Sequence, residues 1–223
     1  MGFLYSPLGL PFSVATWCVA LLILAFALYG RPFRFLREAS RQHLWLASIT
    51  VLSTLWCFSA WVQDGPVLHL LGAALLSALF GWRLAMLAAS LVVVAVALIL
   101  GASWQGVGAT VLIFAIVPVI VAAGTQRLFT RRLPGRLTYL ILVDGVLAAS
   151  LSVIATQLAS FALRAAAADT AIALPPAWGW AVALLLCGEA LVSGALTAVL
   201  ATVKPAWLRS AILGSVESTI DPR

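Results

Sequence analysis

Long apolar runs recur along this 223-residue chain, and the short segments between them hold nearly all of its charge. About 20 apolar residues are what an α-helix needs to cross the hydrocarbon core of a bilayer, and lipid offers no partner for an unpaired peptide group. Runs of this kind therefore fold as spanning helices. The hydrophobic share is 64% and the mean hydropathy is +1.13, well above what a soluble core requires. The expected fold class is all-α: one polytopic transmembrane bundle over residues 1–223, with no separate soluble module, low-complexity tract or internal repeat. Nothing at the first apolar run has the basic lead and small-residue close of a cleaved signal peptide, so the chain is expected to be mature from Met1.

Seven spans are expected, over residues 9–29, 44–62, 67–82, 84–100, 107–123, 137–163 and 178–203. The third and fourth are short and meet at Arg83, which predicts a close helical hairpin. Residues 101–106 are expected to form a small-residue loop that dips into the protein. Threaded alternately from an outside N-terminus, the seven spans put twelve of the 13 Lys and Arg residues on the cytoplasmic face and leave only Arg164 outside. That asymmetry predicts a cytoplasmic C-terminus and a multi-pass protein of the bacterial inner membrane, surrounded by lipid. It also accounts for the net charge of +6 without nucleic acid, because the basic residues sit in short loops beside apolar runs.

Few groups inside the apolar runs carry chemistry. His69 starts the third span on the same outer face as the amino end of Met1, so the two are placed to meet. A neutral imidazole with a nearby amine or carboxylate suits nickel, cobalt, copper or zinc, while the plainer reading is a histidine that caps a helix or bonds a carbonyl. His43 stands beside the first basic loop and carries less weight. Glu189 lies in mid-span, where an isolated carboxylate is costly, so it must face the interior and be protonated, hydrogen-bonded or paired. Asp144 is expected to form a structural ion pair with Arg83 or Arg136. No hydroxyl or carboxylate in the spans has a histidine or metal-binding pair on an adjacent turn, which argues against an intramembrane enzyme.

Ala73, Ser77 and Gly81, and again Ala190, Gly194 and Ala198, recur every fourth residue and predict close helix packing. Trp17, Trp45, Trp61, Trp82, Trp104, Trp178 and Trp207 lie near span ends and are expected to anchor at the interface. Cys18, Cys57 and Cys187 lack metal-site spacing and read as small buried residues.

The helix start His69–Leu70–Leu71–Gly72–Ala73–Ala74–Leu75, the loop Gly101 to Thr110 and the segment Gly188–Glu189–Ala190–Leu191 together resemble the CbiM/NikM family. These are the substrate-binding permeases of energy-coupling-factor transporters for cobalt and nickel. The resemblance runs from the third span to the seventh. It implies capture of Co2+ or Ni2+ as transported substrate on the outer side, with no covalently bound cofactor. It also implies two kinds of partner, a transmembrane coupling subunit and cytoplasmic ATPases, since this chain has no phosphate-binding loop of its own. In that family the metal chelate is similar to an N-terminal amine, a histidine at the second position and the histidine of the His-Leu-Leu-Gly start. Met1 and His69 match, but Gly2 stands where the second-position histidine would be. Thr110 and Ile113 also depart from the family's asparagine-bearing loop. The competing expectation is a membrane interaction or assembly protein built on the same fold, with a decayed site.

Overall fold

The computed structural model describes residues 2–5, 8–30, 32–58, 60–61, 67–130, 137–167 and 178–208. The loops holding Asp64, Arg131, Arg132, Arg136 and Asp169, and Met1 itself, lie outside them. A four-residue helix α1 (Gly2–Tyr5) precedes α2 (Leu10–Tyr29), which ends at Gly30 ahead of Pro32. A 3-10 segment, Pro32–Arg37, leads into α3 (Ala39–Cys57). Two-residue strands β1 (Ala60–Trp61) and β2 (Val67–Leu68) pair antiparallel, with Ala60 opposite Leu68. There follow α4 (Ala73–Ile99), α5 (Trp104–Thr110), a π-helical stretch Val111–Ile116, and α6 (Val117–Thr130). Then come α7 (Leu137–Tyr139), a second π-helical stretch Leu140–Leu147, α8 (Ala148–Ala167) and α9 (Trp178–Val203).

Among the described residues five helices are long and apolar enough to cross a membrane: Leu10–Tyr29, Ala73–Ile99, Trp104–Phe129, Leu140–Ala167 and Trp178–Val203. The first and last fall where the apolar runs place them. The second expected span does not. Its helix starts five residues early, in the polar turn of Ser40, Arg41, Gln42 and His43, and stops at Cys57, so it is shifted toward the basic loop and falls short of the apolarity of the other five. Glu38 holds that start, its carboxylate accepting from Arg41 Nε at 2.9 Å and Ser40 Oγ at 2.9 Å.

The third and fourth spans form the single element α4, interrupted at Gly81, whose φ of 74° and ψ of 164° are non-helical. Neighbouring contacts give the direction of each arm. Trp56 and Trp45, at opposite ends of α3, donate their indole N–H groups to the carbonyls of Leu70 at 2.6 Å and Leu84 at 3.2 Å, so the chain from 70 to 84 runs antiparallel to α3. Trp82 stacks on Phe26 and Arg83 donates to the Gly30 carbonyl at 3.2 Å, both at the end of α2. Trp17, nearer the start of α2, bonds the Trp104 carbonyl at 3.0 Å, so the second arm climbs back along α2. The hairpin is therefore present, but its turn lies at Gly81 rather than Arg83. Only glycine adopts that positive φ without strain.

The expected 101–106 loop is shorter than its composition predicts. Ser103 caps α5, its hydroxyl accepting from Gln105 N–H, and Trp104 to Gly106 are already helical. Around the α4 hairpin, α3, α6 and α2 pack directly, while α9 lies along the Leu140–Leu147 stretch. There the small-residue stripe does what its spacing predicts: a Cβ on Gly145 would stand 2.8 Å from Gly194 Cα, so two glycines let the backbones touch. Two expectations fail. Cys18 and Cys187 are exposed and Cys57 half-buried, because apolar residues facing lipid need no protein cover. Trp45 is buried and hydrogen-bonded between helices rather than anchored at an interface.

Candidate functional site

His69 sits in the non-helical segment between β2 and α4, where the chain passes into the bundle. Its ring is 5% exposed, and neither nitrogen makes a hydrogen bond. The Leu70 carbonyl is a neighbour of the ring without meeting full hydrogen-bond geometry. Instead the imidazole lies between two aromatic rings, Trp56 at 4.2 Å and Phe114 at 5.4 Å between centroids. Phe114 belongs to the Val111–Ile116 stretch, where the wider π turn changes the direction of side chains relative to the helix on either side.

Phe114 also meets Phe3, ring to ring at 6.3 Å and edge-on. Phe3 and Leu4 are buried, so α1 is inserted into the bundle rather than lying on it. Two features hold it there. A Cβ on Gly106 would overlap the Phe3 carbonyl oxygen and stand 2.6 Å from its carbon, so α5 can receive α1 only with glycine at that position. Above the Phe3 ring lies the Arg164 guanidinium at 4.5 Å, a cation–π contact from the end of α8. Phe3 and His69 thus both contact the Phe114 ring, and the amino-terminal segment reaches the neighbourhood of the imidazole. Met1, the other expected metal ligand, lies outside the described residues.

Glu189 is 1% exposed in α9 and faces the interior, as a mid-span carboxylate must. Its two oxygens accept from the Leu71 N–H and the Gly72 N–H, each at 2.7 Å. The carboxylate thus closes the start of α4, taking up amides that have no partner within that helix. Gly72, at φ 67°, makes the turn into α4 with the Leu52 side chain 3.1 Å from where a Cβ would be. On its outer side Glu189 borders an apolar groove of about 290 Å3 between α3 and α9, lined by Leu52, Leu70, Leu75 and Leu196 among others.

Asp144 belongs to a separate buried cluster. It lies in the Leu140–Leu147 stretch, next to the Gly145 contact with Ser193 and Thr197 of α9. Its carbonyl shares the Gln126 amide with the Ala74 carbonyl, and Tyr139 donates to the Gln126 carbonyl. Of its two expected ion pairs, that with Arg83 does not form, because Arg83 is held at the end of α2 by the Gly30 carbonyl. Arg136 lies outside the described residues. Thr110 is fully buried, its hydroxyl bonded to the Gly106 carbonyl of its own helix at 2.8 Å. His43 is exposed on the polar start of α3 and takes no part. Among the described residues no three His, Cys, Asp or Glu side chains come together around one point. Sequence reading missed Trp56, Phe114, Phe3 and Arg164, all of which surround His69 or the segment beside it. Their apolar or loop-end settings gave no signal of this.

A bundle of membrane-length apolar helices defines a multi-pass membrane protein. The chain belongs to the CbiM family, described as the cobalt uptake substrate-specific transmembrane region, whose family model matches residues 8–207. It is accordingly a membrane component of metal uptake. Two solved structures share its fold. A truncated transition metal transporter superposes with a TM-score of 0.63 at 18% identity, covering 86% of this chain and 91% of that one. A second transition metal transporter gives 0.61 at 17%, covering 95% and 89%. No curated protein matches the chain.

Proposed function

We propose that the chain is the substrate-capture membrane component of an energy-coupling-factor transporter of the ABC type, and that its substrate is a divalent transition-metal cation, cobalt or nickel. The observation that carries this reading is His69: a fully enclosed imidazole between Trp56 and Phe114 with both nitrogens unbonded. A buried polar group left without a partner costs about 1–3 kcal/mol, and a borderline-soft cation is a partner that relieves it. The amine of Met1 is the proposed companion donor, since the inserted α1 brings that end of the chain to the same aromatic ring. Seven crossings, with the N-terminus outside and the C-terminus in the cytoplasm of a bacterial inner membrane, follow from the charge asymmetry of the loops. A transmembrane coupling subunit and cytoplasmic ATPases are the proposed partners. The protein itself is not an enzyme.

Cobalt binding to the purified protein in detergent, with and without His69→Ala, tests the assignment. The wild type binds and the variant does not; equal binding by the two would remove His69 from the site. A second reading, an interaction protein with a decayed site, draws support from Gly2 and from the Thr110 hydroxyl being spent on its own helix. Co-purification with a coupling subunit and ATPases separates the two, because an assembly protein has no use for them.

A further inference from the structure

Histidines that hold metals ordinarily fix the ring by donating the second nitrogen to a carboxylate, a carbonyl or water. His69 has no such anchor. What is anchored instead is the backbone that follows it. The Leu70 carbonyl accepts from Trp56 Nε1 at 2.6 Å, and the Leu71 and Gly72 N–H groups donate to the two Glu189 oxygens at 2.7 Å each. Two consecutive peptide groups, 70–71 and 71–72, are thereby taken up by side chains of two different helices, α3 and α9. The imidazole beside them has no hydrogen bond of its own. Trp56 serves twice, since the indole that bonds Leu70 also lies against the His69 ring.

We propose that Glu189 is the positioning residue of the His69 site, setting the place and direction of the imidazole through the backbone of residues 70–72 rather than through the ring. The inference rests on the reading of His69 as the capture ligand. Its consequence is that Glu189 governs how tightly a cation is held without touching it. A carboxylate is the group the geometry calls for, because two diverging N–H donors need one acceptor oxygen each. Glutamine supplies one such oxygen, and alanine none.

The experiment is a Co2+ titration of the full chain in detergent, followed by visible absorption, for wild type, Glu189→Ala, Glu189→Gln and His69→Ala. Amide exchange of the 69–73 peptide is measured on the same samples. Glu189→Ala is expected to weaken Co2+ about 10- to 100-fold, the usual effect of losing an outer partner of a metal ligand. Its absorption spectrum at saturation is expected to stay wild-type, because the donor atoms are unchanged. Glu189→Gln is expected to fall between the two, with exchange at Leu71 and Gly72 graded in the same order. Wild-type affinity in Glu189→Ala, or unchanged exchange at those two amides, would overturn the proposal. If Glu189→Ala does not fold, Glu189→Gln against wild type gives the same decision. If the wild type itself binds no cobalt, the reading of His69 as a ligand fails, and the exchange data still decide whether Glu189 fixes the segment.

Discussion

Substituting Gly106 by alanine should eject α1 while leaving the bundle intact. The new methyl would overlap the Phe3 carbonyl and stand 2.6 Å from its carbon, against the roughly 3.5–4.0 Å at which carbon atoms pack best. The obstacle is backbone, so no rotamer change relieves it, and α1 must retreat by about 1 Å or more. Docking of α1 is a near-balance. Burying Phe3 and Leu4 contributes about 1.5–3 kcal/mol each. Ordering four residues opposes it by about 1–2 kcal/mol each. Overpacking of about 1–3 kcal/mol therefore tips the segment out. The sign is diagnostic, because alanine for glycine inside a helix ordinarily stabilises it by about 1 kcal/mol. Hydrogen exchange of residues 2–5 should quicken tenfold or more, and cobalt affinity should fall with it, while the unfolding temperature of the bundle holds. Wild-type protection of residues 2–5 in Gly106→Ala would refute the inserted packing of α1.

Two other expectations follow from packing and charge. Gly145→Ala, whose methyl would press on Gly194 of α9, should lower stability by about 1–3 kcal/mol, whereas Gly124→Ala, with nothing within 4 Å, should not; thermal unfolding of both variants in one detergent compares them. In a background with Cys18, Cys57 and Cys187 replaced, a single cysteine at position 164 should react with an impermeant reagent from outside the cell, and one at position 127 only after permeabilisation. The reverse pattern would invert the topology.

The long apolar runs made α2 and α9 readable nearly to the residue, because length and hydropathy alone decide where lipid can be crossed. The α3 boundary was not readable in the same way, since a helix continues through polar residues such as Ser40 and Gln42 wherever its backbone bonds can continue. The α4 hairpin could be anticipated from two short runs, but its turn went to the residue able to take a positive φ, Gly81, rather than to the charged one beside it. At the site, His69 and Glu189 stood out as polar residues in apolar surroundings. What joins them did not, because Glu189 binds two amides 117 and 118 positions away, and amides leave no mark in a sequence. Phe114 looked like any core phenylalanine, and the π turn that presents it has no signature in the apolar stretch that forms it.

The unequal arms of the α4 hairpin have a consequence for where a cation would have to rest. Before Gly81 the helix has eight residues, about 12 Å, and after it eighteen, about 27 Å. The shortfall of roughly half a bilayer core is made up by irregular chain, which lipid does not tolerate unless protein encloses it. His69 stands at the head of the short arm, packed against Trp56 and Phe114, so an ion held there would lie about 12 Å along that arm from the Gly81 turn, roughly 15 Å short of where the long arm ends. Lengthening the short arm by two helical turns would carry the imidazole away from both rings and lose that depth.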